Sequence, residues 1–184
     1  MALTVSERNK MALTYGLVIG FIYLIMTSAI NLMVGNLINF YLVKSAGYIL
    51  YFVIIGIFAA KIRKANGGYI EFRDIFGPIF IMILVAGFMS YLYSYLYIYV
   101  IDPRFMEKYK MATLHFMEGI KSIPQEKIDE TARKFDEELT KSQHFNIGTS
   151  ILGFFGFLIF DSLFGLIVGA IVKKKQPQSM TDNF

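Results

Sequence analysis

The sequence predicts an all-α fold: an integral membrane four-helix bundle with an extracytoplasmic helical hairpin between the third and fourth spans. Three observations carry that prediction. Four long apolar segments are nearly free of charge, and about 18 or more such residues are enough to cross a bilayer. Lys and Arg crowd the ends of those segments. One charged stretch with helical periodicity separates the third segment from the fourth. The chain reads as a single membrane domain over residues 1–184.

The first span covers about residues 11–34, inside a run of 33 residues between Lys10 and Lys44 that carries no charge. Arg8 and Lys10 followed by an apolar run imitate a secretory signal. This run is longer than a signal core of about 7–15 residues, and no small-residue cleavage site follows, so the reading is an uncleaved span. The second span is about 41–60. The charge-free part, 45–60, reaches only about 24 Å against a hydrocarbon core of about 30 Å. The span therefore extends back to Tyr41, with Lys44 snorkelling to the surface. The third span is about 75–101 and the fourth about 147–172.

The soluble insert is 102–146. Asp102-Pro103 reads as an N-cap with proline at the first helical position. Phe105, Met106, Tyr109, Ala112, Phe116, Met117 and Ile120 then share one helix face, expected to be buried. Ser122 to Gln125 reads as a capping box opening a second helix with a narrow stripe of Ile128, Ala132, Phe135 and Leu139. Asp129/Arg133, Glu130/Lys134 and Glu137/Lys141 are spaced as i, i+4 pairs, each stabilising by about 0.2–0.5 kcal/mol. The pair of helices is either packed on itself or the bilayer surface, or it docks a partner.

Lys61, Arg63 and Lys64 abut the second span, and Lys173, Lys174 and Lys175 abut the fourth. The positive-inside rule then places both termini and the 61–74 loop in the cytoplasm. The insert carries eight Lys/Arg, but they are dispersed among nine acids. The net charge of +4 sits at span ends rather than along a stripe, so no nucleic acid is expected. The chain has no Cys, which excludes disulfides, thiolate metal sites and a thiol nucleophile.

Asp161 is the one acid deep in an apolar run. Such a residue costs about 2.5–3.5 kcal/mol on insertion scales and demands compensation. No Lys, Arg or His lies at its depth, so the neutral acid is expected. The mid-depth polar candidates are Tyr23, Ser90 and Tyr91. One reading makes Asp161 an interhelical hydrogen-bonding post, with Tyr23 or Tyr91 as partner. The other makes it a proton relay or the lining of a solute path. Gly16/Gly20 and Gly165/Gly169 are small-xxx-small motifs for helix packing, and antiparallel first and fourth spans would bring them together. Tyr91, Tyr93, Tyr95, Tyr97 and Tyr99 ring the end of the third span, as an interfacial aromatic belt does. His115 and His144 read as exposed loop residues without a ligand cluster. No phosphate loop, nucleophile elbow or HExxH is present, so neither enzyme activity nor a cofactor is expected.

The stretch from Lys61 to Phe76, KIRKANGGYIEFRDIF, is similar to the bacterial family known as domain of unknown function 4199. The layout resembles that family too: a basic Asn-Gly-Gly loop after two spans, a third span ending near Asp102-Pro103, a charged helical insert, and a fourth span ending in lysines. The resemblance covers roughly 11–175 and implies a multi-pass protein of the bacterial inner membrane, without supplying catalytic residues. The expected function is a non-enzymatic accessory or scaffold subunit. Its partners are the lipid bilayer and either another protein or a second copy. The alternative is a small transporter or channel-like protein centred on Asp161.

Overall fold

The computed structural model describes residues 2–142 and 147–176. They form six helices: α1 (Val5–Asn31), α2 (Leu37–Ala65), α3 (Phe72–Leu96, continued by a π-helical turn Tyr97–Ile101), α4 (Phe105–Glu118), α5 (Gln125–Ser142) and α6 (Ile147–Val172). Four of them, α1, α2, α3 and α6, are long and apolar enough to cross a membrane. At 1.5 Å per residue each is about 39–45 Å long, beyond the hydrocarbon thickness of about 30 Å. Their outward faces carry Phe21, Ile25, Ile49, Leu152, Ile159 and Ile171, all exposed. That much apolar surface suits lipid, not water.

α3 is the central helix. It buries Ile75, Ile79, Met82, Ile83, Ala86 and Gly87, with α1 on one side and α6 on the other. α1 offers it a seam of Ala12, Gly16, Ile19 and Gly20 at helical spacing. α6 buries Leu158, Asp161, Gly165, Val168 and Val172 in the same rhythm. The two glycine motifs therefore do not meet. A Cβ at Gly16 would lie 2.9 Å from Val85 Cβ and 3.2 Å from Met82 Cα, and one at Gly165 would lie 2.8 Å from Ile83 Cδ1. Both motifs admit close approach, but to α3, which stands between them.

The four long helices are tied at the end where α1 begins. Leu3 N donates to Asn66 Oδ1 (2.9 Å), and Arg8 pairs with Asp74 (3.1 Å). Arg63 Nη1 donates to the Val172 carbonyl (2.8 Å). Ile70 and Lys174 exchange two backbone hydrogen bonds of 2.8 and 2.9 Å. The turn that allows this is Asn66-Gly67-Gly68. Gly67 and Gly68 sit at φ +83° and +88°, where a side chain is strained, and Asn66 Nδ2 donates to the Tyr69 carbonyl (2.7 Å). This end carries nine Lys/Arg (Arg8, Lys10, Lys61, Arg63, Lys64, Arg73, Lys173, Lys174, Lys175) against Glu7, Glu71 and Asp74.

At the opposite end Ile30, Val34, Phe40, Tyr97 and Phe105 form a second apolar cluster. α4 is seated there. Its Tyr109 hydroxyl bonds that of Tyr41 on α2, and burial first, then Tyr41, pushes Tyr109 up to about 12. α5 lies along α4 through Tyr109–Phe135 and Lys110–Asp136 (2.5 Å). The expected buried face of α4 holds only for its first turns. Phe105 is buried, but Phe116 is 41% exposed, because α4 runs past the bundle end and only α5 accompanies it. α4 also starts at Phe105 rather than Pro103. Asp102 accepts Phe105 N in a turn, and its carboxylate pairs with Lys108 (2.7 Å). On α5, Glu130–Lys134 forms at 2.7 Å, whereas Arg133 turns forward to Glu137 (3.3 Å) and Asp129 accepts from Gln125. Gln125 opens α5 three residues after Ser122, and its side chain points along the helix rather than back to a cap. The side chain of Lys141 and the whole of His144 lie outside the described residues; His115 is exposed on α4.

Candidate functional site

The site is built where α1, α2, α3 and α6 come together near mid-length. α6 turns Asp161 inward from an otherwise apolar buried stripe, and the residue is 0% exposed. α2 contributes a buried stripe of Tyr51, Ile55, Ala59 and Ile62, one turn after Tyr48. Tyr48 donates its hydroxyl hydrogen bond to Asp161 Oδ1. Oδ2 of Asp161 and the hydroxyl of Tyr51 are buried without a hydrogen-bond partner among the described residues. Tyr23 of α1 leans on Tyr51 with ring centroids 5.1 Å apart. Aromatic packing fixes the group: the Tyr48 ring meets Phe52 at 5.1 Å and Phe164 at 6.0 Å, both edge-on.

Two hollows lie beside this group, neither of them lined by Asp161 itself. The outer one, about 340 Å³, opens at the α4 end. Its lining is rich in hydroxyls and amides (Tyr23, Thr27, Asn31, Ser90, Ser94) and includes Lys44, with Phe105 and Tyr109 of α4 at its rim. The inner one is too narrow to hold a water molecule and is bordered by Tyr23, Tyr48, Tyr51, Ser90 and Phe157. Tyr23, Ser90 and Phe157 belong to both, so they form the constriction between the outer cavity and the tyrosines that hold Asp161.

Of the residues singled out from sequence, Asp161, Tyr23 and Ser90 are thus brought to one region. Tyr91 is not. Its ring packs on Phe154 at 5.5 Å, about two helical turns along α6 from Asp161. Neither Tyr23 nor Tyr91 is the hydrogen-bonding partner; that role belongs to Tyr48, which sequence reasoning missed. The span read from sequence, about 41–60, contains Tyr48, but the mid-depth hydroxyls were named only on the first and third spans. In the structure α2 starts at Leu37, which puts Tyr48 well inside the helix. The available signal was the spacing of Tyr48, Tyr51, Ile55, Ala59 and Ile62, one helix face carrying two hydroxyls. Within the tyrosine run the structure assigns distinct places: Tyr93 bonds Ser28 of α1 (2.6 Å), and Tyr97 is buried against Phe105. These are packing contacts as much as a belt.

No curated protein and no solved structure matches the chain. A family model described as "Protein of unknown function (DUF4199)" matches residues 14–174. The match runs from the first apolar helix to the lysines after the last, taking in the Asn66-Gly67-Gly68 turn, α4, α5 and Asp161, and so the chain belongs to the DUF4199 family.

Proposed function

We propose that the chain is a non-enzymatic, multi-pass membrane protein in which Asp161 takes up and releases a proton through the cavity at the α4 end. The observation that carries this reading is a fully buried carboxyl with one oxygen held by Tyr48 and the other unpartnered, one hydroxyl layer from a largely apolar cavity that carries Thr27, Asn31, Ser90 and Ser94. A carboxyl at this depth is costly, and a titratable group there is the ordinary signature of an ion or proton path. The cargo is a proton rather than a larger solute. α6 is unbroken at Asp161, whereas solute sites in transporters are typically formed by discontinuous helices, and the inner hollow admits no water-sized body. The excess of cations at the tied end supports a cytoplasmic location for it, with α4 and α5 extracytoplasmic, in a bacterial inner membrane.

The test is proton flux in proteoliposomes under an imposed pH gradient, read with an internal pH dye, beside thermal melting. Asp161→Asn keeps a donor and an acceptor for Tyr48 but cannot cycle a charge. Expected: wild type dissipates the gradient, and the Asn variant melts like wild type without flux. An Asn variant with full flux, or a wild type no faster than empty liposomes, would refute the proposal.

The accessory-subunit reading has its own observation. On α4, Met111 is 71% and Phe116 41% exposed, an apolar patch on a helix outside the spans. Crosslinking in native membranes from a cysteine at Met111 tests it: one discrete adduct supports a partner, and none counts against it.

A further inference from the structure

We propose that the outer groove between α2 and α6 is a binding site for an anionic phospholipid, one acyl chain lying in the groove and the headgroup on Arg63. The groove encloses about 610 Å³ and shares no lining residue with the outer cavity at the α4 end; Tyr48, Phe52 and Phe164 line it and also hold Asp161 or its partner. Its walls are Phe52, Val53, Ile167 and Val168, with Tyr48 at one end and Arg63 at the other. Gly56 forms the floor: a Cβ there would meet only Val168, at 3.8 Å. The absent side chain is thus what makes the hollow, because nothing presses on this glycine as Met82 and Val85 press on Gly16.

Length and charge choose the occupant. From Tyr48 to Arg63 the groove follows α2 for about 22 Å. One leaflet of the hydrocarbon core is about 15 Å deep, so a chain anchored at the Arg63 end fits inside it. Arg63 uses one N–H on the Val172 carbonyl, and a guanidinium carries several more. Lys64 and Lys173 flank it, both exposed. The partial negative charges at the C-terminal ends of α2 and α6 also lie here, but each is about half a unit, and the full positive charges outnumber them. A basic pocket beside an interhelical apolar groove is the arrangement that selects anionic lipid. A second copy fits less well. Two-fold pairing in one membrane would set this end, with its nine Lys/Arg, against an identical one.

The test is native mass spectrometry of the full chain in neutral detergent, titrated with phosphatidylglycerol or with phosphatidylcholine of the same acyl chains. Phosphatidylglycerol is expected to bind about tenfold more tightly. Arg63→Gln keeps an amide donor for Val172 and is expected to lower phosphatidylglycerol affinity about fivefold while leaving phosphatidylcholine unchanged. Gly56→Leu fills the floor and is expected to lower both, with an unchanged melting temperature. Val53→Phe, at an exposed position on the same wall, gives the same block if Gly56→Leu melts early. Equal binding of the two lipids by wild type overturns the proposal. So does undiminished phosphatidylglycerol binding in both blocked variants, which would place the headgroup on the basic surface without the groove. A groove variant that loses a dimer but keeps its lipid assigns the groove to a second copy and overturns it equally.

Discussion

Adding one methyl group at Gly16 and one at Gly156 is the same chemical change with opposite expected outcomes. Both glycines are inside helices, where Gly→Ala is favourable by about 0.5–1 kcal/mol through reduced backbone freedom. At Gly156 nothing lies within 4 Å of the new Cβ, so Gly156→Ala should stabilise by that amount. At Gly16 the Cβ would stand 2.9 Å from Val85 Cβ, 3.2 Å from Met82 Cα and 3.3 Å from the Met82 carbonyl oxygen. Two of those three atoms are backbone, so relief requires α1 and α3 to separate rather than a side chain to swing. Overpacking of that kind costs about 1–3 kcal/mol. The helix term is common to both variants and cancels in their difference, leaving about 1–3 kcal/mol for the contact alone. The assay is reversible unfolding in mixed micelles by dodecyl sulfate titration. A Gly16→Ala variant as stable as Gly156→Ala would refute the packing of α1 on α3. A companion double variant, Gly16→Ala with Gly169→Ala, should be additive within about 0.5 kcal/mol, because Gly169 faces Phe72 and Ile79 and shares no partner with Gly16. Strong coupling would mean that the two motifs touch after all.

Tyr48→Phe keeps the ring on Phe52 and Phe164 and removes only the hydroxyl, so it should cost about 1 kcal/mol in the same titration, between the membrane average of about 0.6 and the larger penalty for a stranded buried acid. Combined with Asp161→Leu it should cost less than the sum, and strict additivity would count against their bond. Phe105→Ala removes a buried ring from the cluster that seats α4 and should destabilise by about 3 kcal/mol, whereas Phe116→Asp, on the projecting half of α4, should change stability by less than about 0.5 kcal/mol. Equal losses at the two sites would mean that α4 is buried along its whole length. For orientation, single cysteines at Ser122 and Gln176 in intact cells should react with a membrane-impermeant thiol reagent at residue 122 and not at 176; the reverse pattern would invert the topology.

The spans were legible because a charge-free run has few fates besides a membrane helix, and each of the four runs became one. What the runs hid was depth. The second span was expected to pass Lys44 back to Tyr41, and α2 continues further outward to Leu37; Tyr48, inside the expected span but not among its candidates, makes the bond with Asp161. The glycine motifs mark thin helix faces: a Cβ at any of the four would come within 3.1 Å of a neighbour. A thin face says that a neighbour comes close, not which neighbour, and α3 took both. The α4 stripe was a true helix period, but period reveals which side is apolar and not how far the supporting body extends beneath it. Phe105 has Tyr97 below it, and Phe116 has passed the edge. Asp161 was conspicuous for the opposite reason: it is the one acid in the run 142–172, which holds no Lys or Arg.

The ties at the basic end have a mechanical meaning. An ion pair, a side-chain bond to the N-terminal backbone, a guanidinium on a helix carbonyl and a two-bond backbone bridge all fall within one layer, and they connect α1, α2, α3 and α6. The cavity lies at the other end, under α4, where the helices are joined by ring contacts and hydroxyl pairs such as Ser28–Tyr93 and Tyr41–Tyr109. The expected consequence is that the helices separate more readily at the cavity end than in the basic layer, so that the constriction at Tyr23, Ser90 and Phe157 parts before the backbone bridge at Ile70 and Lys174. Amide exchange should accordingly be slowest beside that bridge and fastest along Thr27–Asn31 and Ser90–Ser94, the segments that border the cavity.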